Sequence, residues 1–513
     1  MVLLENPATL ASVWDGTVDR RADALFLVFE GSDGRVSKWT YGQFDGIVSR
    51  AAATLVSNGV EPGSSVHMAL ANCPAFVAVW LAAIRLGAWV VTSDPMGGDV
   101  ELSGHIGRTR PVVGICAASR ATVYLSGCGA LRVIEVEEQD PDLAAFNGDP
   151  IRLSTAPAPT DRAAVMFTSG TTGVPKGVEV TQANYAFAGR TMAAAAGLNE
   201  TDRQLVVLPL FHANAQYYSF ASSIWAGASV ALMSSFTASG FLGQAARHEA
   251  TTASLFAAPM RMILARGGPV DNLRLRQCWF AQNLAADQYE TISDWFGCRP
   301  RQLYGMTETI PEVLTDEPQN PEHSSMGRVT EGCLVDVQRP DGTSVEVGEV
   351  GEVVVGGQRG LTLFAGYLDD PDTTEASFRN GWFLTGDRAR RDSDGRHYFD
   401  GRRSDVLKVA GENVSIVEVE SILSDHPKVL EAAVVGQPDS IRDEVPVAFV
   451  VPAPGGDLPT LEELEAWCSA RLAKAKRPHQ ITIIEDLPRT SVGKIRKFVL
   501  ADKAARAAKA APA

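Results

Sequence analysis

Patterns typical of strands and of helices alternate along most of the sequence, and this alternation restricts the possible folds most strongly. The apolar run Ser229–Met233 predicts a strand, and the amphipathic stretch Phe241–Glu249 after it predicts a helix. Strand–helix alternation at this spacing indicates parallel sheets covered by helices. We therefore predict an α/β fold whose large N-terminal domain, residues 1–401, consists of stacked αβ sheet layers.

The C-terminal part of the chain has a different pattern of predicted secondary structure. Short strands with Gly/Asp turns replace the alternation beyond residue 340, and a hinge is predicted near Gly401–Asp405. Helical patterns at Ser415–Ser424 and Leu461–Lys474, with apolar runs between them, predict a small α+β domain over residues 402–513. The Ala/Lys-rich tail after Asp502 is predicted to fray.

Composition restricts the class of protein. A hydrophobic content of 45% and a charged content of 21% are typical of a globular protein. The net charge of −15 argues against nucleic acid or an anionic membrane as a main partner. The longest apolar stretch, Phe76–Val91, contains Arg85 and is too short to span a membrane, and we predict a buried helix running into a strand there. Seven scattered cysteines without a Cys-x-x-Cys pair predict a reducing, cytoplasmic location.

A loop rich in hydroxyl groups and glycine follows the apolar run Ala163–Phe167, which predicts a buried strand. Within Phe167–Gly177, glycines allow backbone N–H groups to converge on an anion, and Lys176 adds a positive charge. No residue in the loop can act as a general base, so the loop is suited to holding phosphate. It does not match the common Gly-x-x-x-x-Gly-Lys-Ser/Thr pattern, and its composition alone also fits a surface loop of turn residues.

Four further motifs follow in order: Tyr304–Glu308, Trp382–Asp387, Gly401–Asp405 and Pro488–Arg496. With the loop, they resemble the AMP-forming acyl-activating ligases, a family of acyl-CoA synthetases, luciferases and nonribosomal adenylation domains. Shorter strings at 304–309, 411–415 and 439–444 are similar to the carnitine/crotonobetaine-CoA ligase branch. The resemblance covers nearly the whole chain and implies that the large domain binds ATP and an acid while the small domain moves.

The resemblance also implies how ATP and Mg²⁺ are held. Lys176 and the loop hydroxyls would hold the β- and γ-phosphates, and Glu308 would carry Mg²⁺, a task suited to an oxygen ligand. Thr307 would donate to the α-phosphate. The implied nucleotide-binding residues are Thr168, Ser169, Gly170, Thr171, Thr172, Gly173, Lys176, Ala281, Gln282, Asn283, Tyr304, Gly305, Met306, Asp387 and Arg402. Asp387 would bind the ribose. In the fourth motif Ser404 stands where the family usually has Asp or Lys as the pivot.

Two further residues have implied catalytic roles. Lys494 matches the family lysine that bridges the carboxylate substrate and the α-phosphate, where charge builds during attack. The apolar run Leu205–His212 predicts a strand that ends in a polar residue. His212 matches a position that borders the acyl pocket, although a histidine at a strand end fits the same pattern. The pocket is expected to draw also on residues 213–218, Leu284 and residues 306–310.

The second half of the reaction leaves alternatives open. Gly411, Glu412 and Asn413 match the loop that lines the pantetheine tunnel in CoA ligases, with Ala410 in place of a glycine. We expect a small carboxylic acid to be activated through an acyl-adenylate and transferred to CoA. An amine acceptor, giving an amide without CoA, is the second possibility, and a non-catalytic nucleotide-binding relative is the third. A monomer or homodimer is expected.

Overall fold

The computed structural model describes residues 7–149, 156–168, 175–402, 406–409, 412–439, 442–454, 457–489 and 495–510. The predictions for Ser169–Gly173, Ser404, Gly411 and Lys494 lie outside these residues. Glu412 and Asn413 are described only as members of a strand.

The elements before the phosphate loop are α1 (Leu10–Arg21), β1 (Leu25–Glu30), β2 (Val36–Thr40), α2 (Tyr41–Ser57), β3 (Ser65–Ala69), α3 (Pro74–Arg85), β4 (Trp89–Thr92), α4 (Asp99–Thr109), β5 (Val113–Ala117), α5 (Ala121–Cys128), β6 (Arg132–Val136) and β7 (Arg162–Thr168).

The elements from the loop to the predicted hinge are β8 (Lys176–Thr181), α6 (Gln182–Ala196), β9 (Arg203–Val206), a π-helix (Asn214–Ala221), α7 (Ser222–Ala226), β10 (Ser229–Met233), α8 (Phe241–Arg247), β11 (Thr252–Phe256), α9 (Ala257–Arg266), β12 (Gln277–Ala281), α10 (Ala286–Phe296), β13 (Arg301–Tyr304), β14 (Leu314–Thr315), β15 (Arg328–Val329), β16 (Leu334–Gln338), β17 (Val350–Gly356), β18 (Gly366–Tyr367), α11 (Pro371–Ala376), β19 (Phe378–Arg379), β20 (Trp382–Arg391) and β21 (His397–Arg402).

The C-terminal elements are β22 (Val406–Val409), β23 (Glu412–Ser415), α12 (Ile416–Ser424), β24 (Val429–Asp439), β25 (Asp443–Pro452), α13 (Leu461–Arg471), β26 (Gln480–Ile483) and α14 (Lys497–Ala510).

Two large sheets form the body of the N-terminal part. One has the order β15-β14-β13-β12-β11-β9-β10-β1-β2, and the other has the order β18-β8-β7-β4-β3-β5-β6. Pairing is parallel from β13 through β12, β11, β9 and β10 to β1, and from β7 through β4, β3 and β5 to β6. The predicted α/β class with stacked sheet layers is therefore confirmed.

Two smaller sheets complete the described part of the chain. Strands β16-β17-β20-β19 form an antiparallel sheet, and β21 pairs with β20. Beyond the predicted hinge, β23-β22-β25-β24 form a separate sheet, to which β26 adds in parallel with β25. A C-terminal α+β unit is therefore present, while the boundary at residues 401/402 and the mobility of the unit stay predictions.

Helix α3 is at the centre of the main core. Every residue from Pro74 to Ile84 is buried, as expected for a helix that is apolar all round. Its Trp80 packs 5.4 Å from the Tyr185 ring and 6.3 Å from the Phe220 ring, measured between ring centroids. The predicted buried helix running into a strand is thus confirmed as α3 and β4, and no helix among the described residues is long and apolar enough to cross a membrane.

The prediction that the C-terminal tail frays is wrong for residues up to 510. Lys497–Ala510 form helix α14. Leu500 and Ala504, one turn apart on this helix, are buried against a cluster that includes Phe449 and Leu487. Composition alone missed this contact because the apolar partners belong to distant strands.

Candidate active site

The carboxyl ends of β12 and β13 lie side by side, since these strands pair in parallel. Ala281 ends β12 and Tyr304 ends β13. In open parallel sheets, the crevice beyond the carboxyl ends of the strands is the usual ligand site. The segments predicted to hold the nucleotide, 281–283 and 304–308, are therefore brought together by the fold.

Asp387 is the buried acceptor of a polar cluster that joins two sheets. It lies directly opposite Arg402 in the β20–β21 pair, and Arg402 Nε donates to Asp387 Oδ1 at 2.8 Å. The Tyr304 hydroxyl, from the nine-stranded sheet, donates to Asp387 Oδ2 at 2.8 Å. Burial, and next the Asp387 charge, raise the pKa of Tyr304, so its hydroxyl keeps its proton. Each carboxylate oxygen retains a lone pair that could accept a ribose hydroxyl.

Glu308 is held by a short turn and a tyrosine. Thr307–Thr309 form a 3₁₀ turn that brings Glu308, 5% exposed, against the Tyr367 hydroxyl, which donates to Glu308 Oε1 at 3.0 Å. The Phe364 N–H donates to the Glu308 carbonyl oxygen at 3.0 Å. Thr307 and Met306 are half-buried beside it. One oriented carboxylate at this point could bind Mg²⁺ together with phosphate and water oxygens.

Lys176 reaches the same tyrosine from the phosphate-loop side. Tyr367 pairs with Val178 across β18 and β8, and Lys176 lies two residues before Val178 on the same face of β8. Lys176 Nζ lies 4.8 Å from the centroid of the Tyr367 ring, within cation–π range. Lys176 therefore contacts the ring face of Tyr367, and Glu308 accepts a hydrogen bond from its hydroxyl. The sequence did not predict a role for Tyr367, because the two-residue strand Gly366–Tyr367 is too short to give a recognisable pattern.

Helix α4 holds both sides of the phosphate loop. Arg108 Nη1 donates to the Pro175 carbonyl oxygen at 2.6 Å, and the Arg108 guanidinium lies 5.0 Å from the Phe167 ring. The His105 ring stacks on Phe167 with 3.9 Å between centroids. Thr168 pairs with Lys176 at the base of the loop. The two strands that enter and leave the loop are thus fixed from outside it.

The segment after β12 adopts an uncommon backbone. Gln282 has a φ of 74°, in the left-handed region. Gln302 Nε2 donates to the Gln282 carbonyl oxygen at 3.1 Å and to Asn283 Oδ1 at 2.9 Å, and Arg261 Nη2 donates to the Asn283 carbonyl oxygen at 2.8 Å. The predicted adenine-side residues are therefore positioned by neighbours at both ends.

His212 lies just before the π-helix, where its N–H donates to the Pro209 carbonyl oxygen at 3.2 Å. Its ring lies 4.3 Å from the Phe211 ring. The predicted strand 205–212 is shorter in the structure, since β9 ends at Val206. Tyr217 and Tyr218 of the π-helix are buried, and the Tyr218 hydroxyl lies beside Gly305. Such helices have a wider turn and are frequent at functional sites.

The chain on either side of Lys494 is anchored. Arg489 and Ile495 form a β-bridge, and the Arg496 N–H donates to the Pro488 carbonyl oxygen at 2.7 Å. Arg496 acts electrostatically on Glu101 of α4, whose pKa is raised chiefly by burial. Arg496, two residues after Lys494, therefore lies within electrostatic range of the helix that supports the phosphate loop.

Comparison with protein-family models agrees with this geometry. Residues 14–368 match the AMP-binding enzyme model, and residues 418–494 match the AMP-binding enzyme C-terminal domain. This chain is an AMP-binding enzyme. The predicted membership of the acyl-activating family is confirmed.

Similar proteins narrow the class of this AMP-binding enzyme. The crotonobetaine/carnitine–CoA ligases of Salmonella arizonae and Escherichia fergusonii are each 32% identical to it, with 95% and 96% of this chain and 98% of each relative covered. An O-succinylbenzoate coenzyme A synthetase from Bacillus subtilis, in complex with ATP and magnesium ion, is 28% identical with a TM-score of 0.82 over 94% of this chain and 98% of that chain. The structure of an anthranilate CoA ligase with anthranoyl-AMP is 24% identical, and its TM-score of 0.88 over 99% of both chains shows the shared fold.

These relatives confirm the predicted enzyme class, an AMP-forming acid–thiol ligase that uses ATP, Mg²⁺ and CoA. A carboxylic acid and CoA are accordingly the expected reactants. The residue assignments, the acid and the oligomeric state are predictions that the comparisons do not test.

Proposed function

We propose that this AMP-binding enzyme converts a small carboxylic acid and ATP into an acyl-adenylate and pyrophosphate, and then transfers the acyl group to CoA. In the first step a carboxylate oxygen bonds to the α-phosphorus as pyrophosphate leaves. In the second, the CoA sulfur bonds to the acyl carbon, AMP leaves, and the thiol proton is released.

The arrangement of Asp387 between Tyr304 and Arg402 carries this proposal. Both oxygens of the carboxylate are oriented by the protein, since a donor side chain holds each of them. Pre-oriented acceptors lower the cost of ordering a ligand. We assign ribose binding to Asp387 and assign support of its orientation to Tyr304 and Arg402.

The phosphates would lie along the line from Lys176 to Glu308. Thr168, Lys176 and the loop residues 169–173 would hold the β- and γ-phosphates, while Thr307 would donate to the α-phosphate. Glu308 would hold Mg²⁺ together with phosphate and water oxygens, because this ion prefers a carboxylate combined with such oxygen ligands. When bound, Mg²⁺ neutralises phosphate charge.

The remaining roles follow the family pattern. Lys494 would stabilise the charge that develops as the acid attacks the α-phosphate, and His212 would steer the carboxylate. Residues 281–283, Gly305 and Met306 would enclose the adenine and ribose. Gly411, Glu412 and Asn413 would line the CoA channel after the C-terminal domain, residues 402–513, turns about the hinge. A cytoplasmic location and a monomer or homodimer are part of this proposal.

Pyrophosphate exchange with a panel of carboxylic acids tests the first step. We expect exchange that depends on the acid and on Mg²⁺, and an Lys494→Ala variant that loses more than about a hundredfold in rate, as removal of a preorganised charge at a transition state does. AMP release with CoA or with candidate amines then tests the acceptor. Product formed from an amine but not from CoA would contradict the second step, and no exchange with any acid would contradict the first.

A further inference from the structure

Glu312 is a buried carboxylate four residues beyond Glu308. Its side chain is 0% exposed, and neither Oε1 nor Oε2 has a hydrogen-bond partner. A buried carboxylate normally accepts several hydrogen bonds or pairs with a cation, because an unpaired one carries a large desolvation cost. Glu312 therefore has acceptor capacity that the described part of the protein leaves unused.

The arginine that acts on Glu312 electrostatically does not meet this demand. Arg301 acts on Glu312 electrostatically, but its guanidinium donates to the Asp316 carbonyl oxygen at 2.8 Å, to the Ala195 carbonyl oxygen at 2.9 Å and to Gln277 Oε1 at 3.0 Å. The same guanidinium lies over the Trp279 ring at 4.5 Å. Its donors are thus committed elsewhere. Burial raises the pKa of Glu312 to about 8.

The Glu312 backbone lies beside residues predicted to enclose the acid and the nucleotide. A β-carbon placed on Gly305 would lie 2.8 Å from the Tyr218 hydroxyl and 3.1 Å from Glu312 Cα, so these three residues converge at one point beside Tyr304. Glu312 also acts electrostatically on Tyr218. Tyr218 and Gly305 belong to the segments predicted to enclose the acid and the nucleotide.

A second buried group without a partner lies in the same region. The Tyr217 hydroxyl has no hydrogen-bond partner, and Tyr217 is 0% exposed. Both Tyr218 and Glu308 act electrostatically on it. Two acceptor-capable groups and two aromatic rings on the acyl side of the site match an N–H-bearing cation, which donates hydrogen bonds and is attracted to ring faces.

We infer that Glu312 selects a carboxylic acid that carries a second, positively charged group with N–H donors, such as an ammonium, at the end of its acyl chain. The inference rests on the proposed function, since it names the class of acid for the same site. The cation would pair with the Glu312 carboxylate beside Tyr217 and Tyr218, while the acid's own carboxylate faces the nucleotide.

The test compares matched acids in pyrophosphate exchange with the full-length protein. ω-Amino acids with chains of three to six carbons are paired with neutral acids of equal heavy-atom number and with their N,N,N-trimethyl derivatives. Glu312→Gln keeps the side-chain shape and removes the charge. Glu317→Gln, which changes an exposed carboxylate paired with Arg328, is the control.

We expect the wild type to favour an ω-amino acid over its neutral partner by at least about tenfold in kcat/KM, the worth of one charged hydrogen bond. Glu312→Gln should remove this preference while changing kcat/KM for the neutral acid by less than about threefold, and Glu317→Gln should leave the preference intact. The melting temperature of Glu312→Gln should equal or exceed that of the wild type, because a buried ionisable group without a hydrogen-bond partner has been replaced by a neutral one of the same shape.

Three results would overturn the inference. The first is a wild-type preference for neutral acids over ω-amino acids. The second is an equal kcat/KM for the ω-amino acids and their trimethyl derivatives. The third is a lower melting temperature of Glu312→Gln with unchanged selectivity, which would make Glu312 a structural residue. Exchange with neutral acids alone would leave the proposed function standing. Exchange with no acid at all would instead contradict that function.

Discussion

The Tyr367 hydroxyl donates to Glu308 Oε1 at 3.0 Å. The face of the same ring lies 4.8 Å from Lys176 Nζ. One side chain therefore sets the distance between the cation that ends the phosphate loop and the carboxylate proposed to carry Mg²⁺. Burial, and next the Glu308 charge, raise the pKa of Tyr367, which keeps the hydroxyl a donor.

Tyr367→Phe is expected to weaken Mg²⁺-dependent activity by about tenfold, because a hydrogen bond to a charged group contributes roughly 1.5–3 kcal/mol. The effect should appear as a higher Mg²⁺ concentration at half-maximal pyrophosphate exchange, since the ring that contacts Lys176 remains. Tyr398→Phe, whose hydroxyl bonds Glu322 and Asp392, is the matched control. If the Mg²⁺ concentration at half-maximal exchange is unchanged in Tyr367→Phe, the Tyr367 hydroxyl does not contribute to Mg²⁺ binding.

Asp387→Asn should weaken ATP and AMP binding by about tenfold to a hundredfold, since two charge-assisted hydrogen bonds and the ribose acceptors are altered together. Calorimetric titration with AMP measures this loss directly. Asp394→Asn changes an exposed carboxylate in the turn between the same two strands and should leave AMP affinity intact. Equal affinities of the two variants would remove Asp387 from the nucleotide site.

Gly327→Ala is expected to destabilise the fold by more than about 3 kcal/mol, the scale of the largest single-residue effects. Gly327 has a φ of +85°, and an added β-carbon would lie 2.0 Å from the Thr315 carbonyl carbon. Gly332→Ala is the matched control, because Gly332 has a φ of +82° but open space around it. It should cost only about 1 kcal/mol of backbone strain. Denaturant unfolding of both variants gives the comparison, and similar losses would mean that packing at Gly327 relaxes.

His67 and His105 should make stability fall with acid. Burial lowers the pKa of His67 to about 3 and that of His105 to about 4. Ser93 Oγ lies between them, 2.9 Å from His67 Nε2 and 2.7 Å from His105 Nδ1. The unfolded histidines bind protons below about pH 6.5, so the stability is fully present above that pH and is lost as pH falls toward 4 for His105 and toward 3 for His67.

His67→Gln is therefore expected to flatten the dependence of unfolding free energy on pH between pH 6 and 5 by about 1 kcal/mol per unit. The difference from the wild type isolates this group, since the carboxylates are common to both proteins. His479→Gln, at an exposed position, should follow the wild-type slope. Parallel slopes for wild type and His67→Gln would show that His67 is already charged when folded.

Local sequence patterns predict a strand or helix correctly where the apolar residues of that element alone define it. The apolar run Ser229–Met233 is strand β10 to the residue, and the run 163–167 lies within β7. Predictions were weaker where partners come from far along the chain. Helix α14 was missed because its buried face packs on strands of the C-terminal sheet, and the strand expected over 205–212 ends at Val206, before the π-helix that shapes the site.

The fold class, the family and the order of the motifs could be predicted from local patterns, because periodicity, turn residues and motif spacing are properties of short stretches of chain. Three relationships became visible in the folded chain alone: Tyr367 links Lys176 to Glu308, Tyr304 and Arg402 hold the two oxygens of Asp387, and the buried Glu312 carboxyl has no hydrogen-bond partner. These relationships join residues from different sheets or from distant parts of the chain. Their energies depend on burial and on distances across the fold, which no local pattern encodes.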